Sequence, residues 1–212
     1  RMDIWCAEKD TNQVWQPPYN LGPAINTPYD EETPFLHANG QTLYFASDGH
    51  PGFGKVDLFY TKKTNGTWDK PTNLGKAINT SKDESGLFIT ASGKTGLFCL
   101  EERRERDLLS SQIQVFRLPV DMQKGPSCTF LTGTVFDAVT KQRIQASIEL
   151  VNMQNSKPEF SMESDKDFGT YTAVIQQGTP YAMLVSKPGY LFNSPSVRTD
   201  SLPHPEEGLK KD

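Results

Sequence analysis

The chain has 212 residues, with 22 basic and 26 acidic side chains and a net charge of −4. No like-charged block is long enough for a polyelectrolyte tail, which argues against a nucleic-acid partner. Hydrophobic residues make up 35%, alongside 15 prolines, 16 glycines and 10% aromatics, a mixture that fits many short strands and tight turns and so an all-β chain. No stretch approaches the ~20 apolar residues of a membrane span. Cys6, Cys99 and Cys128 lack the spacing of a disulfide framework or a zinc site and read as buried free thiols.

In chain order, Asp3-Ile4-Trp5 is the first expected strand. Trp15 to Phe45 then aligns without a gap with Trp68 to Phe98 at an offset of 53, with 16 identities, where composition alone gives about two. The shared residues include Trp15/Trp68, Asn20-Leu21-Gly22/Asn73-Leu74-Gly75, Ala24-Ile25-Asn26-Thr27/Ala77-Ile78-Asn79-Thr80, Asp30-Glu31/Asp83-Glu84 and Phe45/Phe98. Within one cycle, Pro34 to His37 reads as a strand, Ala38 to Gln41 as a hairpin turn and Thr42 to Ala46 as its partner. Asp48 to Gly54 is a loop, because its glycines and proline cannot hold a ladder. Asp57 to Thr61 makes a third strand, Asn65-Gly66 a turn, and Trp68 opens a fourth strand. Gln114-Val115-Phe116 reads as the third strand of the second copy, with Phe116 in the place of Phe59.

Four short strands per cycle is the pattern of a β-propeller blade. Residues 1–125 would then hold the end of one blade, one whole blade and most of another. Trp15, Asp30, Phe45, Asp57, Trp68, Asp83 and Phe98 are the positions expected to define the blades structurally. Such a segment does not close a ring alone, so further blades before Arg1, or another chain, are expected to cover its open edges.

From Cys128 the pattern changes. Thr129 to Asp137, Ala146 to Val151, Tyr171 to Ile175 and Tyr181 to Val185 alternate at period two, which predicts a small antiparallel β-sandwich over residues 128–194. Pro203, Pro205 and Glu206-Glu207-Gly208 make residues 195–212 read as a linker toward a further domain. The start at Arg1, without Met, reads as that of a fragment or processed product, with room upstream for a signal peptide or lipid anchor.

The run Asp30-Glu31, Phe35, Gly40, Leu43-Tyr44-Phe45-Ala46-Ser47-Asp48, Gly52-Phe53-Gly54 and Asp57-Leu58-Phe59 resembles the WD40-like (PD40) repeat of TolB-type propellers. Gly133-x-Val135-x-Asp137, Ile144-x-Ala146-x-Ile148-x-Leu150, Ser164-Asp165, Gly169-x-Tyr171 and Lys187-Pro188-Gly189-Tyr190 resemble the carboxypeptidase regulatory-like domain, a transthyretin-like sandwich without catalytic residues. Their order is similar to that of OmpA-family envelope proteins of the Bacteroidota, among them a lipoprotein of the type IX secretion system. The resemblance implies an all-β partial propeller followed by a transthyretin-like sandwich. It implies a place in the periplasm at the outer membrane, and envelope proteins, including secretion-system components, as partners. Peptidoglycan would be held only through a domain outside this chain.

The acidic pairs Asp30-Glu31 and Asp83-Glu84 suit acid–base work or metal binding in type, but their recurrence at one repeat position points to turns that hold backbone N–H groups. Asp165-x-Asp167-x-Gly169 opens like a calcium loop but lacks the later ligands, and reads as a β-turn. His37, His50 and His204 share no ligand spacing. No nucleophile arrangement is visible, so no catalytic, cofactor or metal residue is expected and the chain reads as a non-enzyme. The aromatic series Trp5, Trp15, Trp68, Phe59 and Phe116 is expected to pack blade on blade.

The feature that differs between the repeats is Glu101-Glu102-Arg103-Arg104-Glu105-Arg106-Asp107, a charged run in place of the glycine loop. It reads as a hairpin tip and as the candidate partner-binding loop, with arginines suited to carboxylate contacts. Asp200-Ser201-Leu202 resembles a Bacteroidota O-glycosylation motif. The competing functional class is a glycan-binding or glycan-processing propeller, which expects exposed aromatics beside carboxylates.

Overall fold

The structure, a computed structural model, describes residues 1–10, 14–104, 107–118, 127–199 and 208–212, with the backbone alone described at 103, 104, 107 and 108. Among these residues the chain is all β, in several open sheets without a helix. It divides into two compact units, Arg1–Gln123 and Lys124–Asp212.

In the first unit β1 (Trp5–Cys6) pairs with β2 (Tyr19–Asn20). The first repeat forms β3 (Glu31–Leu36), β4 (Thr42–Ser47), β5 (Asp57–Thr64) and β6 (Thr67–Trp68) in that spatial order, with β7 (Thr72–Asn73) also on β5. The second forms β8 (Asp83–Ile89), β9 (Thr95–Arg104) and β10 (Asp107–Arg117), ordered β10-β9-β8.

Every residue of β4 is buried, because this sheet is covered on both faces and its alternation divides apolar side chains between two cores. Leu43 and Phe45 join Ile4, Ile25 and Phe59 on one side. Tyr44 and Ala46 join Leu58, Leu74, Ile78, Leu87, Ile89, Phe98 and Leu118 on the other. The β3–β4 turn is held by Asn39 Oδ1, which accepts Gln41 N at 2.9 Å and Thr42 N at 3.1 Å, with Gly40 at φ 67°. A Cβ on Gly54 would stand 2.2 Å from Lys82 O, so only glycine lets the loop after β4 pass the second repeat.

The second repeat departs from the first at its hairpin. The long connection 48–56 has no counterpart: β9 and β10 run on until only residues 105–106 separate them. Most of the charged run 101–107 is therefore strand, not loop, while Glu105 and Arg106 lie outside the described residues. Phe98 faces Gln114 as Phe45 faces Phe59. This corrects the expected alignment, because Phe116 takes the place of Thr61 once both strands are lengthened.

The second unit holds β11 (Cys128–Thr134), β12 (Ser147–Asn152), β13 (Lys157–Glu163), β14 (Thr170–Gln176), β15 (Tyr181–Ser186), β16 (Ser196–Val197) and β17 (Leu209–Lys210). They form two sheets, β14-β11-β17 and β13-β12-β15-β16. Both contribute to one core, Leu131, Tyr171, Ala173 and Ile175 from the first and Ile148, Leu150, Tyr181, Met183 and Val197 from the second. The segment read as a linker thus supplies β16, and β17 pairs parallel with β11. Tyr171 Oη donates to Lys211 O, Lys211 N to Thr132 O at 2.8 Å and Thr134 N to Asp212 Oδ1 at 3.0 Å, which fasten the chain's last residues to the sheet. Asp200-Ser201-Leu202 lies outside the described residues.

Candidate functional site

The residues that the repeats share form one device built twice. Asn20 Oδ1 accepts Gly22 N and Asn26 Nδ2, both at 2.8 Å, and Asn26 grips Ile4 through both its N–H (2.8 Å) and its carbonyl (3.0 Å). In the second copy Asn73 Oδ1 accepts Gly75 N at 2.7 Å and Asn79 Nδ2 at 2.9 Å, and Asn79 grips Leu58 N and O at 2.9 and 2.8 Å. A buried amide reproduces the two hydrogen bonds of a neighbouring strand, so each entry turn is stapled to the strand before it.

The acidic pairs sit beside these staples. Asp30 Oδ1 accepts Met2 N at 2.6 Å, and Asp83 Oδ1 accepts Val56 N at 3.4 Å. Glu31 is wholly enclosed and fully partnered: Oε2 accepts Thr27 N at 2.8 Å, and Oε1 accepts the Thr27 and Ser47 hydroxyls at 2.7 and 2.9 Å. Glu84 Oε1 accepts Thr80 N at 3.1 Å and the Thr80 hydroxyl. Its Oε2 has no hydrogen-bond partner among the described residues, and neither has Asp57 Oδ1. The reason is the cross-strand neighbour, since Glu31 faces Ser47 but Glu84 faces Leu100. Burial raises the Glu84 carboxyl above its ordinary range against the Thr80 bonds that lower it, and the charges of Asp57 and Asp83 raise it further.

At the same end of the repeats, Asp30, Glu32, Asp48, Asp83 and Glu101 line a hollow of about 160 Å³. Of the sequence-selected residues, it brings Asp30 and Asp83 together with Glu101 at the base of the β9–β10 arm. Glu102 points elsewhere and pairs with Lys82 at 2.9 Å. Clustered carboxylates concentrate negative potential, which suits a cationic group. Among the described residues no group of three or more His, Cys, Asp or Glu is placed to hold a metal ion. Asp48, like Asp57, read as a structural residue flanking the glycine loop, whereas Glu32 escaped sequence reasoning because its approach to Asp83 and Glu101 depends on how the two repeats stack.

The other candidates disperse. Phe45 and Phe98 are buried and Trp68 packs beside the Ile4–Phe59 core, but Trp15 and Trp5 are 65% and 59% exposed, against the expected packing role. No described neighbour sheet covers them; Lys9 Nζ lies 5.2 Å from the Trp15 ring. His37 Nε2 donates to Thr90 O and His50 Nε2 to Ile25 O, at 3.0 and 2.8 Å. Cys128 is buried, whereas Cys6 and Cys99 are only half-buried. Asp165 Oδ1 accepts Asp167 N and Phe168 N at 2.9 and 2.7 Å in a turn. In the second unit an apolar hollow of about 710 Å³ is lined by Phe136, Ile144, Met183, Tyr190 and Phe192, a feature for which the sequence carried no periodic signal.

No protein-family model, no curated protein and no solved structure matches the chain.

Proposed function

We propose that the chain is a non-enzymatic scaffold of a bacterial cell envelope, a partial β-propeller followed by a transthyretin-like sandwich, similar to PorE of the type IX secretion system. It works in the periplasm at the outer membrane, takes envelope proteins as partners, and reaches peptidoglycan through a domain outside this chain. The observation that carries this reading is the contrast between the repeats. Their shared polar residues are engaged in turn and strand contacts, while the sequence that differs between them builds the charged β9–β10 arm beside a carboxylate-lined hollow. Charged, strand-supported projections fit recognition of a partner surface better than group-transfer chemistry.

The test is affinity recovery from the native envelope, comparing the protein with a variant whose arm is shortened. Ser110 faces Glu102 and Ser111 faces Glu101, so replacing residues 102–110 by Asn-Gly keeps the remaining hairpin in register. Recovery of envelope partners is expected to fall about tenfold at an unchanged unfolding temperature. Equal recovery would remove the arm from the proposal.

A second reading, glycan binding, is favoured by exposed Trp5, Trp15 and Tyr19, the last donating to Glu8 at 3.2 Å. Aromatic faces beside a carboxylate suit sugar rings. A glycan array separates the two, since the scaffold expects silence and the alternative a signal lost on Trp15→Ala.

A further inference from the structure

The two repeats stack through contacts between like positions. Gly86 N donates to Thr33 Oγ1 at 3.1 Å and His37 Nε2 to Thr90 O at 3.0 Å, each across 53 residues. The rings of Phe35 and Phe88, also equivalent positions, lie 5.1 Å apart. A contact of this kind is head to tail: the surface a sheet offers differs from the surface on which it receives, so the last sheet keeps an unused offering surface.

The first repeat offers Tyr44, Ala46 and Leu58, with Phe35 and Tyr60, to Leu87, Ile89 and Phe98 of the second. Cross-strand register carries these positions onward. Tyr44 faces Tyr60 as Leu97 faces Val115, and Ala46 faces Leu58 as Cys99 faces Ile113. Every counterpart is apolar, yet Ile113 and Val115 are 72% and 67% exposed and Phe88 is 49% exposed. A contiguous apolar sheet face left in water marks an interaction surface.

We propose that the face formed by Phe88, Leu97, Cys99, Ile113 and Val115 is a docking surface for a further β-sheet of this same repeat, which seats its own counterparts of Leu87, Ile89 and Phe98 there. A second copy of this chain fits less well. The receiving side of its first repeat already holds Ile4, gripped by Asn26 as Leu58 is gripped by Asn79. The proposal rests only on the stacking half of the reading above, so its test is blind to partner recovery through the arm.

By the same register Leu118 aligns with Lys63, so a second copy of residues 64–118 inserted directly after Leu118 supplies the missing sheet in phase. With serine in place of the copied cysteine, the probe is N-ethylmaleimide alkylation followed by mass spectrometry. Cys99 is expected to react about tenfold more slowly in the extended chain, with Cys6 unchanged and buried Cys128 silent in both. Ile113→Glu in the extended chain should restore the fast rate. An unchanged Cys99 rate with Cys128 still silent overturns the proposal. If the extended chain exposes Cys128, the unextended chain decides. There, anilinonaphthalene sulfonate fluorescence must fall by at least half in the Ile113→Glu, Val115→Lys variant at an unchanged unfolding midpoint, and no fall overturns the assignment. A concentration-dependent dimer abolished by Ile113→Glu would put a second copy on the face and equally overturn it.

Discussion

The first and second repeats carry the same staple and the same buried glutamate, but they satisfy that glutamate differently. Glu31 is closed by the Ser47 hydroxyl across the ladder, while Glu84 meets Leu100 and keeps one oxygen without a partner among the described residues. Ser47 is also where the long loop begins, and its Oγ accepts Gly49 N and His50 N at 3.0 and 3.3 Å. The second repeat has a hairpin arm where the first has that loop, and leucine stands where the first has the serine that serves both. The two copies therefore share their geometry but not the hydrogen bonding of their carboxylates, because the latter depends on a neighbour outside the motif.

The largest effect expected from breaking this comparison is at the staples. Asn79→Ala strands Leu58 N and O inside the core and should cost about 3 kcal/mol or more in denaturant unfolding. Asn26→Ala should cost less, about 1–2 kcal/mol, because β1 has few neighbours and can fray. Equal costs would mean that the two staples are interchangeable. Ser47→Ala turns the first repeat into the second, and about 1–3 kcal/mol should be lost in denaturant unfolding. An unchanged stability would sever the link between the serine and the carboxylate.

Leu100→Ser is the converse, and its signature is pH dependence. The folded-state value of Glu84 lies above its ordinary one, so the protein binds that proton more tightly when folded. The associated stability is present below the ordinary glutamate range and is lost as pH rises through the folded value. The variant should flatten this decline in unfolding midpoints measured across about pH 4–8; an unaltered slope would assign the decline to other groups. Smallest of all, Lys82→Ala removes an ion pair whose side chains are about half exposed, and should change stability by no more than about 0.5 kcal/mol.

Much of this arrangement was legible beforehand. The repeat located β4 and β5, and strict alternation located β11, β12, β14 and β15, within a residue or two of their bounds, except that β5 runs on to Thr64 and not Thr61 and β11 ends at Thr134 and not Asp137. What escaped has physical reasons. The strand β13 is a mostly exposed edge strand carrying Pro158, which dilutes both period and propensity. Two-residue strands such as β16 and β17 have no period to detect, so their segment read as a linker. The charged run 101–107 read as a hairpin tip because it lacks the alternating apolar residues by which a strand is recognised, whereas backbone pairing alone extends β9 and β10. The orphaned oxygen of Glu84 was hidden in plain view, since Ser47 and Leu100 occupy equivalent positions but matter only once the register opposite Glu31 and Glu84 is known. The hollow lined by Asp30, Asp83 and Glu101 required the stacking of the repeats, which no single cycle of the sequence encodes.

The parallel pairing of β17 with β11 also has a mechanical meaning. Tension applied to the two ends of the second unit draws the start of β11 one way and the end of β17 the other. The two strands must then slide past each other, and the Leu131–Leu209 and Thr132–Lys210 pairs, with the Tyr171 and Thr134 bonds to the chain's last residues, are loaded together instead of being unzipped one by one. Pulled this way, the clasp yields in shear only when several hydrogen bonds fail at once.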